Sequence, residues 1–342
     1  MNCFLSRNYK GVSSAGNKAK IDIENTMEKM GFKNVGIRRT YSRNSIVAFI
    51  LTLCGVLKVF FSIHKNDILV LQYPLKKYFS FVCKIAHLKG AKVITVIHDL
   101  GSFRRKALTP KQEIRRLNNS DYIIAHNEKM KLWIEQNGCK AHLATLGIFD
   151  YLSTTSANED TIPSKPFSVL YAGVLAKRKN TFLYELGEYI SSYKLNLYGN
   201  GFAIDEAKGT NNIEYKGFVQ SDELIATACG DFGLVWDGSS IDACTGNFGE
   251  YLQYNNPHKT SLYIRCGLPI VIWEKAALAS FVKENNIGIC VGSLKELNAI
   301  FERLTIQEYM AMKENVIKIS NNLACGHYVS TALKKAVSEL SK

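Results

Sequence analysis

The 342-residue sequence contains no Asp-x-Asp, no Gly-x-Gly-x-x-Gly, no P-loop and no two cysteines at Cys-x-x-Cys spacing. Each absence removes a class. Without paired carboxylates or Cys/His clusters at ligand spacing, no bound metal and no other cofactor is expected. Without a dinucleotide fingerprint or a Walker loop, nucleotide binding must use other backbone and side-chain donors. The nine cysteines stand apart from one another and read as reduced, mostly buried small hydrophobes of a cytosolic chain. The first ten residues, Met1 to Lys10, hold no secretory apolar region ahead of their charges, so export is not expected. Low-complexity tracts and short internal repeats are also missing, which leaves a globular reading.

What is present is an uneven distribution of charge. Residues 1–150 hold 25 Lys and Arg against 10 Asp and Glu, whereas residues 151–342 hold 18 against 20. A strongly basic half beside a near-neutral one implies that the first half meets something anionic. The basic residues follow no zinc-finger, RRM or helix-turn-helix pattern, so nucleic acid is not the expected partner. A membrane surface or a phosphate-bearing acceptor fits better. Ser45–Ile63 is apolar over nearly the length of a bilayer, but Lys58 interrupts it and Gly55 weakens it. It reads as a helix packed on a sheet, with a surface-docked helix as the alternative, and not as a span.

Short apolar runs alternate with helical patterns, the signature of parallel sheets with crossover helices. Strands are expected at residues 3–6, 35–38, 68–72, 93–98 and 122–125, then again at 167–173, 195–198, 213–216, 232–236, 270–272 and 288–291. The polar, aperiodic stretch Tyr151–Pro166 reads as a linker. The expected division is therefore an N-terminal domain over 1–150, a C-terminal domain over 167–322, and a terminal helix over 323–342 that could pack back on the first domain. In such folds ligands bind beyond the carboxyl ends of the strands.

Candidate chemistry lies in those strand-to-helix loops. In the first, Gly11 and Gly16 allow close backbone approach, while Ser13, Ser14 and a helix N-terminus offer donors to an anion or a sugar hydroxyl. A later strand ends in His98-Asp99, where a carboxylate could take a proton from an acceptor hydroxyl, with His98 as the rival base; Arg104 and Arg105 could hold an anionic acceptor. Neighbouring strand residues face opposite ways, so His98 and Asp99 should not both reach one atom. In the second half, Gly173 precedes Lys177-Arg178-Lys179, a diphosphate-binding arrangement. Tyr198-Gly199-Asn200-Gly201 and Trp236-Asp237-Gly238 end further strands. Tyr254-Asn255-Asn256-Pro257-His258-Lys259 opens a helix with a lysine in its first turn, a second invitation to a diphosphate.

Gly-x-x-x-Lys-Arg-Lys, Tyr-Gly-Asn-Gly, Tyr-Asn-Asn-Pro-His-Lys and Cys-Gly-Leu-Pro-Ile-Val-Ile, in that order, resemble the GT-B glycosyltransferases. The nearer resemblance is to the bacterial β-1,6-galactofuranosyltransferase-like and glucosyltransferase 3-like group. That group also carries a Ser-x-Gly-x-Lys-Ala-Lys loop and an Ile-His-Asp-Leu strand end, found here at Ser14–Lys20 and Ile97–Leu100. The resemblance spans nearly the whole chain. It implies two Rossmann-like domains facing each other across a cleft, a UDP-sugar donor, independence of metal, and an acceptor bound by the N-terminal domain. Ser14 and Gly16 would touch donor or acceptor, and Lys177, Arg178 and the segment Tyr254–Lys259 would hold UDP, with Lys259 on the diphosphate. Many retaining members of the fold carry a glutamate five residues before the glycine of their Gly-x-Pro motif. Here that place is Leu262, which points instead to inversion.

The expected reaction is then transfer of glucose or galactofuranose from a UDP-sugar to a glycan, glycoprotein or lipid-linked oligosaccharide. Asp99 would act as base, Lys177, Arg178 and Lys259 would stabilise leaving UDP, and Tyr198 and Tyr254 would stack on uracil or line the sugar site. The expected location is the cytoplasm, with the inner face of the membrane a natural station for a basic domain. A non-catalytic glycosyltransferase-like partner protein is the alternative, and an epimerase on the same scaffold a third reading. The apolar helix near residues 46–61 and the C-terminal helices could each supply an interface for a homo-oligomer.

Overall fold

Nearly every predicted apolar run forms a strand hydrogen-bonded to parallel neighbours. The computed structural model describes residues 1–9, 15–75, 78–103, 106–158 and 162–342, apart from the side chain of Ala15. It divides into two compact units, Met1–Asp150 with Cys325–Lys342, and Tyr151–Ala324.

The first unit runs β1 (Asn2–Phe4), α1 (Ala15–Lys29), β2 (Lys33–Asn34), α2 (Ser45–Ser62), β3 (Ile68–Tyr73), α3 (Phe79–Leu88), β4 (Lys92–Ile97), α4 (Pro110–Leu117), β5 (Tyr122–Ala125), α5 (Glu128–Gln136) and β6 (His142–Thr145). The strands form one parallel sheet in the order β2-β1-β3-β4-β5-β6. Both faces of β3 and β4 are covered, which explains why these strands read as continuous apolar runs. On one face Leu69, Leu71, Val93 and Ile97 meet Val56 and Val59 of α2, Val82 of α3, and Met130 and Ile134 of α5. On the other, Val70, Ile94 and Val96 meet Ile23 and Met27 of α1 together with Leu333 and Ala336 near the C-terminus.

Two elements differ from the sequence reading. The second strand lies at Lys33–Asn34 rather than over 35–38, and β6 was not anticipated. Both are edge strands whose residues are exposed or half-buried apart from Ala144, so neither carries the apolar run that marks a central strand. The larger correction concerns α2. It is a helix, capped by the Asn44 side chain accepting from the Ile46 and Val47 amides, but only Gly55, Val56 and Val59 are buried. It touches the sheet along a narrow stripe and leaves most of its apolar surface to solvent.

The second unit contains β7 (Ser168–Val174), α6 (Phe182–Glu185), β8 (Lys194–Asn200), β9 (Ile213–Gly217), α7 (Ser221–Thr227), β10 (Phe232–Val235), α8 (Gly246–Gly249), α9 (His258–Arg265), β11 (Ile270–Trp273), α10 (Ala279–Glu284), β12 (Gly288–Val291), α11 (Leu297–Arg303) and α12 (Ile306–Cys325). Its parallel sheet has the order β12-β11-β10-β7-β8-β9. That is the Rossmann arrangement, with the topological switch point between β7 and β10. A side chain at Gly233 of β10 would meet the Tyr263 ring at 2.4 Å, so glycine there lets α9 lie directly on the strand. The stretch after Asp150 does not hang free: the buried Arg265 donates to the carbonyls of Ser153 and Thr155 at 3.0 and 2.7 Å and to Ser320 Oγ at 2.8 Å.

Gly326, at φ +82°, ends α12 and turns the chain into α13 (His327–Leu340), which returns to pack on α1, β5 and β6 of the first unit. Asp150 receives the backbone N–H groups of Tyr328 and Val329, at 3.2 and 2.7 Å, in the first turn of α13. Burial outweighs these bonds and pushes its carboxyl up to about 7. A folded-state pKa above the unfolded value means that the native state holds the extra proton. Its contribution to stability is therefore full at about pH 4 and is lost as pH rises to about 7. Asp150→Asn, which keeps an acceptor and removes the titration, is expected to flatten this dependence by a few kcal/mol. Urea unfolding between those pH values checks it; parallel wild-type and mutant curves would show that folding does not shift the Asp150 carboxyl.

Candidate active site

In the second unit the carboxyl ends of β7 and β10 flank the switch point, and the N-terminus of α9 reaches the same place. Lys259, in the first turn of α9, directs Nζ at Asp237 Oδ1 and at the Tyr171 hydroxyl, both 3.0 Å away, and at the Trp236 carbonyl at 3.4 Å. The Tyr171 hydroxyl in turn donates to Asp237 Oδ1 at 3.0 Å. Complete burial and the neighbouring carboxylate hold the Tyr171 phenol well above its usual range, so it stays a donor. Lys179 Nζ stands 3.8 Å from the same carboxylate oxygen and 5.5 Å from the centre of the Phe248 ring. Two ammonium groups therefore converge on one carboxylate at the helix terminus. Proline stands at the N-cap of α9 and offers no side-chain cap, and no acidic residue lies in its first turn, so its positive dipole end adds to the two lysines.

Around this cluster are polar atoms of the kind a ligand would engage. Asn255 Oδ1 and Thr260 Oγ1 are buried and have no hydrogen-bond partner among the described residues. Such atoms cost free energy unless something binds to them. Asn256 is buried, Tyr254 and Pro257 are half-buried, and His258 stacks on Tyr151 with ring centres 4.7 Å apart. The Gly173 backbone has φ +149° and open space where a side chain would project.

Not every expected residue joins the cluster. Lys177 turns to Glu206 at 2.8 Å on the surface, and Arg178 is exposed. Of the basic trio it is Lys179 that reaches Asp237, because the loop turns back on itself: the Lys179 amide bonds the Ala176 carbonyl at 2.9 Å. Tyr198 is buried, its hydroxyl accepting from the Cys229 amide at 3.2 Å, so its ring packs the sheet and does not present a stacking surface. Its neighbour Gly199 lies directly beside Gly173 in the register of β7 and β8. Sequence reasoning missed Tyr171 and Thr260, since a tyrosine inside an apolar strand and a threonine inside a helix carry no signal without the fold.

In the first unit, His98 and Asp99 follow β4. The His98 ring bonds Gln72 Oε1 through Nε2 at 2.6 Å and stacks on Phe149 with centres 5.6 Å apart. Gln72 donates from Nε2 to the Lys20 carbonyl at 3.2 Å, which leaves its oxygen to accept and assigns the proton to His98 Nε2. Asp99 is half-buried, and its Oδ1 has no hydrogen-bond partner among the described residues. The loop beyond it is held by the buried Glu113, which accepts from the Ser102 amide at 2.6 Å and from Tyr73 at 2.5 Å. Near the first loop, the buried Glu24 gathers Ser6 Oγ at 2.8 Å, the Tyr9 hydroxyl and Arg39 Nε at 2.7 Å. Gly16 is exposed in the first turn of α1. Ser14, Arg104 and Arg105 lie outside the described residues.

Comparison with known proteins gives the same picture along the whole chain. The N-terminal domain of the glucosyltransferase 3-like family matches residues 2–148, and its C-terminal domain matches residues 169–336. The β-1,6-galactofuranosyltransferase WbbI of Escherichia coli (strain K12) is 32% identical over 337 residues, 95% of each chain. Glucosyltransferase 3 of Streptococcus gordonii is 25% identical over 265 residues, 76% of this chain and 75% of that one. Among solved structures, the apo lipopolysaccharide outer core galactosyltransferase WaaB aligns over 99% of both chains with a TM-score of 0.61 at 11% identity, a likeness of fold. Two Rossmann-like parallel sheets, and a family match that runs through both, make the chain a glycosyltransferase of the glucosyltransferase 3-like family with the GT-B fold.

Proposed function

We propose that the chain transfers a hexose from a UDP-sugar to a hydroxyl of a glycan or glycoconjugate, by single displacement with inversion and without a bound metal. The observation that carries this is the cationic cluster at the switch point. Lys259 and Lys179 around Asp237, at the start of α9, offer the charge that a leaving diphosphate needs. In this reading they do what a divalent cation does elsewhere. Asn255, Asn256, Thr260 and the Gly173 backbone would line the nucleotide and sugar, with Tyr254 and His258 beside them. Both named relatives transfer hexoses, galactofuranose in one and glucose in the other, which supports a hexose here.

Asp99 is the proposed base. Its Oδ1 at the end of β4, which has no hydrogen-bond partner among the described residues, can receive the acceptor proton, whereas His98 Nε2 is already committed to Gln72. His98 then acts by fixing the strand end. The side chain at Leu262 has no carboxylate to offer the ribose, in keeping with an inverting path. In turnover assays containing EDTA, Asp99→Asn is expected to lower kcat by about 10²- to 10⁴-fold with UDP affinity unchanged. The anomeric configuration of the product should be opposite to that of the donor. A retained configuration, or an Asp99→Asn enzyme of normal kcat, would overturn the mechanism; activity restored only by added divalent cation would overturn its metal independence.

A further inference from the structure

The exposed apolar face of α2 has no role in the donor or acceptor chemistry. A surface helix ordinarily places polar residues on its outer side. Here the inner stripe, Gly55, Val56 and Val59, seats the helix, while the outward positions are Ile46, Ile50, Cys54, Leu57 and Phe61, and Phe61 is 77% exposed. The patch continues onto α3, which runs alongside α2 in the same direction. Phe49 meets Tyr78 at the start of α3, and Lys89 at its end lies 4.4 Å from the centre of the Phe60 ring. From α3, Phe81 and Leu88 also face solvent, Leu88 at 78% exposure.

Charge tells what this face meets. From Arg38 to Lys92 the sequence holds ten Lys and Arg against one carboxylate, Asp67, which is buried. Lys58 stands on α2 and Lys84 on α3, both exposed, with Lys89 at the junction. A second copy of the chain docked here by two-fold symmetry would set these lysines against their own images, with no acidic residue of either helix to offset them. An anionic lipid surface suits both features, since apolar side chains enter the acyl boundary while lysines remain among the headgroups.

Nor is α2 a span. It is the crossover helix between β2 and β3, which lie in one sheet with β1 between them. A helix that crossed a bilayer would put those strands on opposite sides. We infer that the chain docks on anionic membranes through the outer faces of α2 and α3, with α2 lying in the plane of the interface.

This inference does not depend on the donor or the base, and it is read without turnover. The full chain is sedimented with vesicles of phosphatidylcholine mixed with phosphatidylglycerol, and with vesicles of phosphatidylcholine alone. Binding is expected to the anionic vesicles and to weaken as salt is raised. Ile50→Ser with Phe61→Ser should reduce it by about tenfold or more. Lys58→Glu with Lys84→Glu should reduce it by about fivefold for each lysine replaced. All four positions are exposed, and unchanged thermal unfolding of the variants would show that the fold is intact. Equal binding to both vesicle types, or binding that neither pair of substitutions weakens, would overturn the proposal. So would a dimer seen by analytical ultracentrifugation that Ile50→Ser with Phe61→Ser dissociates while no vesicle is bound.

Discussion

Lys259→Met is expected to weaken UDP binding by about a hundredfold or more, read by calorimetry with EDTA present. Methionine keeps the unbranched stem and close to the volume of lysine, so the first turn of α9 should hold its place. What is lost is the ammonium 3.0 Å from both Asp237 Oδ1 and the Tyr171 hydroxyl. Two consequences follow, and they act in one direction. The positive charge available to a diphosphate falls by one, and Asp237, nearly buried, keeps Lys179 at 3.8 Å as its counter-charge among the described residues. The site thus becomes less cationic. A second measurement separates charge from packing: Lys177→Met removes an equal charge from the exposed pair with Glu206 and is expected to change UDP affinity less than about threefold. If the two variants lose affinity equally, the diphosphate draws on the exposed loop as much as on α9, and the Lys259 cluster is not the specific site. If neither loses any, the donor site is elsewhere.

The contrast between Lys177 and Lys179 shows where sequence reasoning reaches its limit. A strand, a glycine and three basic residues announce an anion site, because βα loops gather at one edge of a parallel sheet. Which of three consecutive lysines and arginines faces inward depends on a single turn of backbone between Ala176 and Lys179, and periodicity says nothing about that. Tyr198 departs from the expected stacking position for a related reason. A strand residue beside a glycine pair can face either way, and here the amide of Cys229 claims its hydroxyl. Central strands were legible because burial on both faces leaves a strong compositional mark. The exposed side of α2 was not. An apolar run looks the same whether a sheet covers it or a membrane does, and only the position of its neighbours separates the two cases.

Gly199→Ala is expected to be among the most damaging single substitutions in the second unit. Gly199 pairs with Gly173 across β7 and β8, at φ +142°, and an added Cβ would lie 1.8 Å from the Gly173 carbonyl oxygen. The obstacle is backbone in the neighbouring strand, so no side chain can rotate away. Backbone strain and steric overlap together should cost about 4 kcal/mol, lowering Tm by about 10 °C. Gly173→Ala provides the counterpart. Its φ is equally unfavourable to other residues, but the added methyl would meet nothing within 4 Å. A cost of about 1–3 kcal/mol is expected from strain alone. In return the methyl would project into the space beyond β7 that the proposed donor needs, so UDP-sugar affinity should fall more than stability does. Scanning calorimetry and donor titration on the same two proteins give both quantities. A Gly173→Ala protein that binds donor normally would make Gly173 a strand terminus only, and the donor would then rest on α9 without the glycine edge.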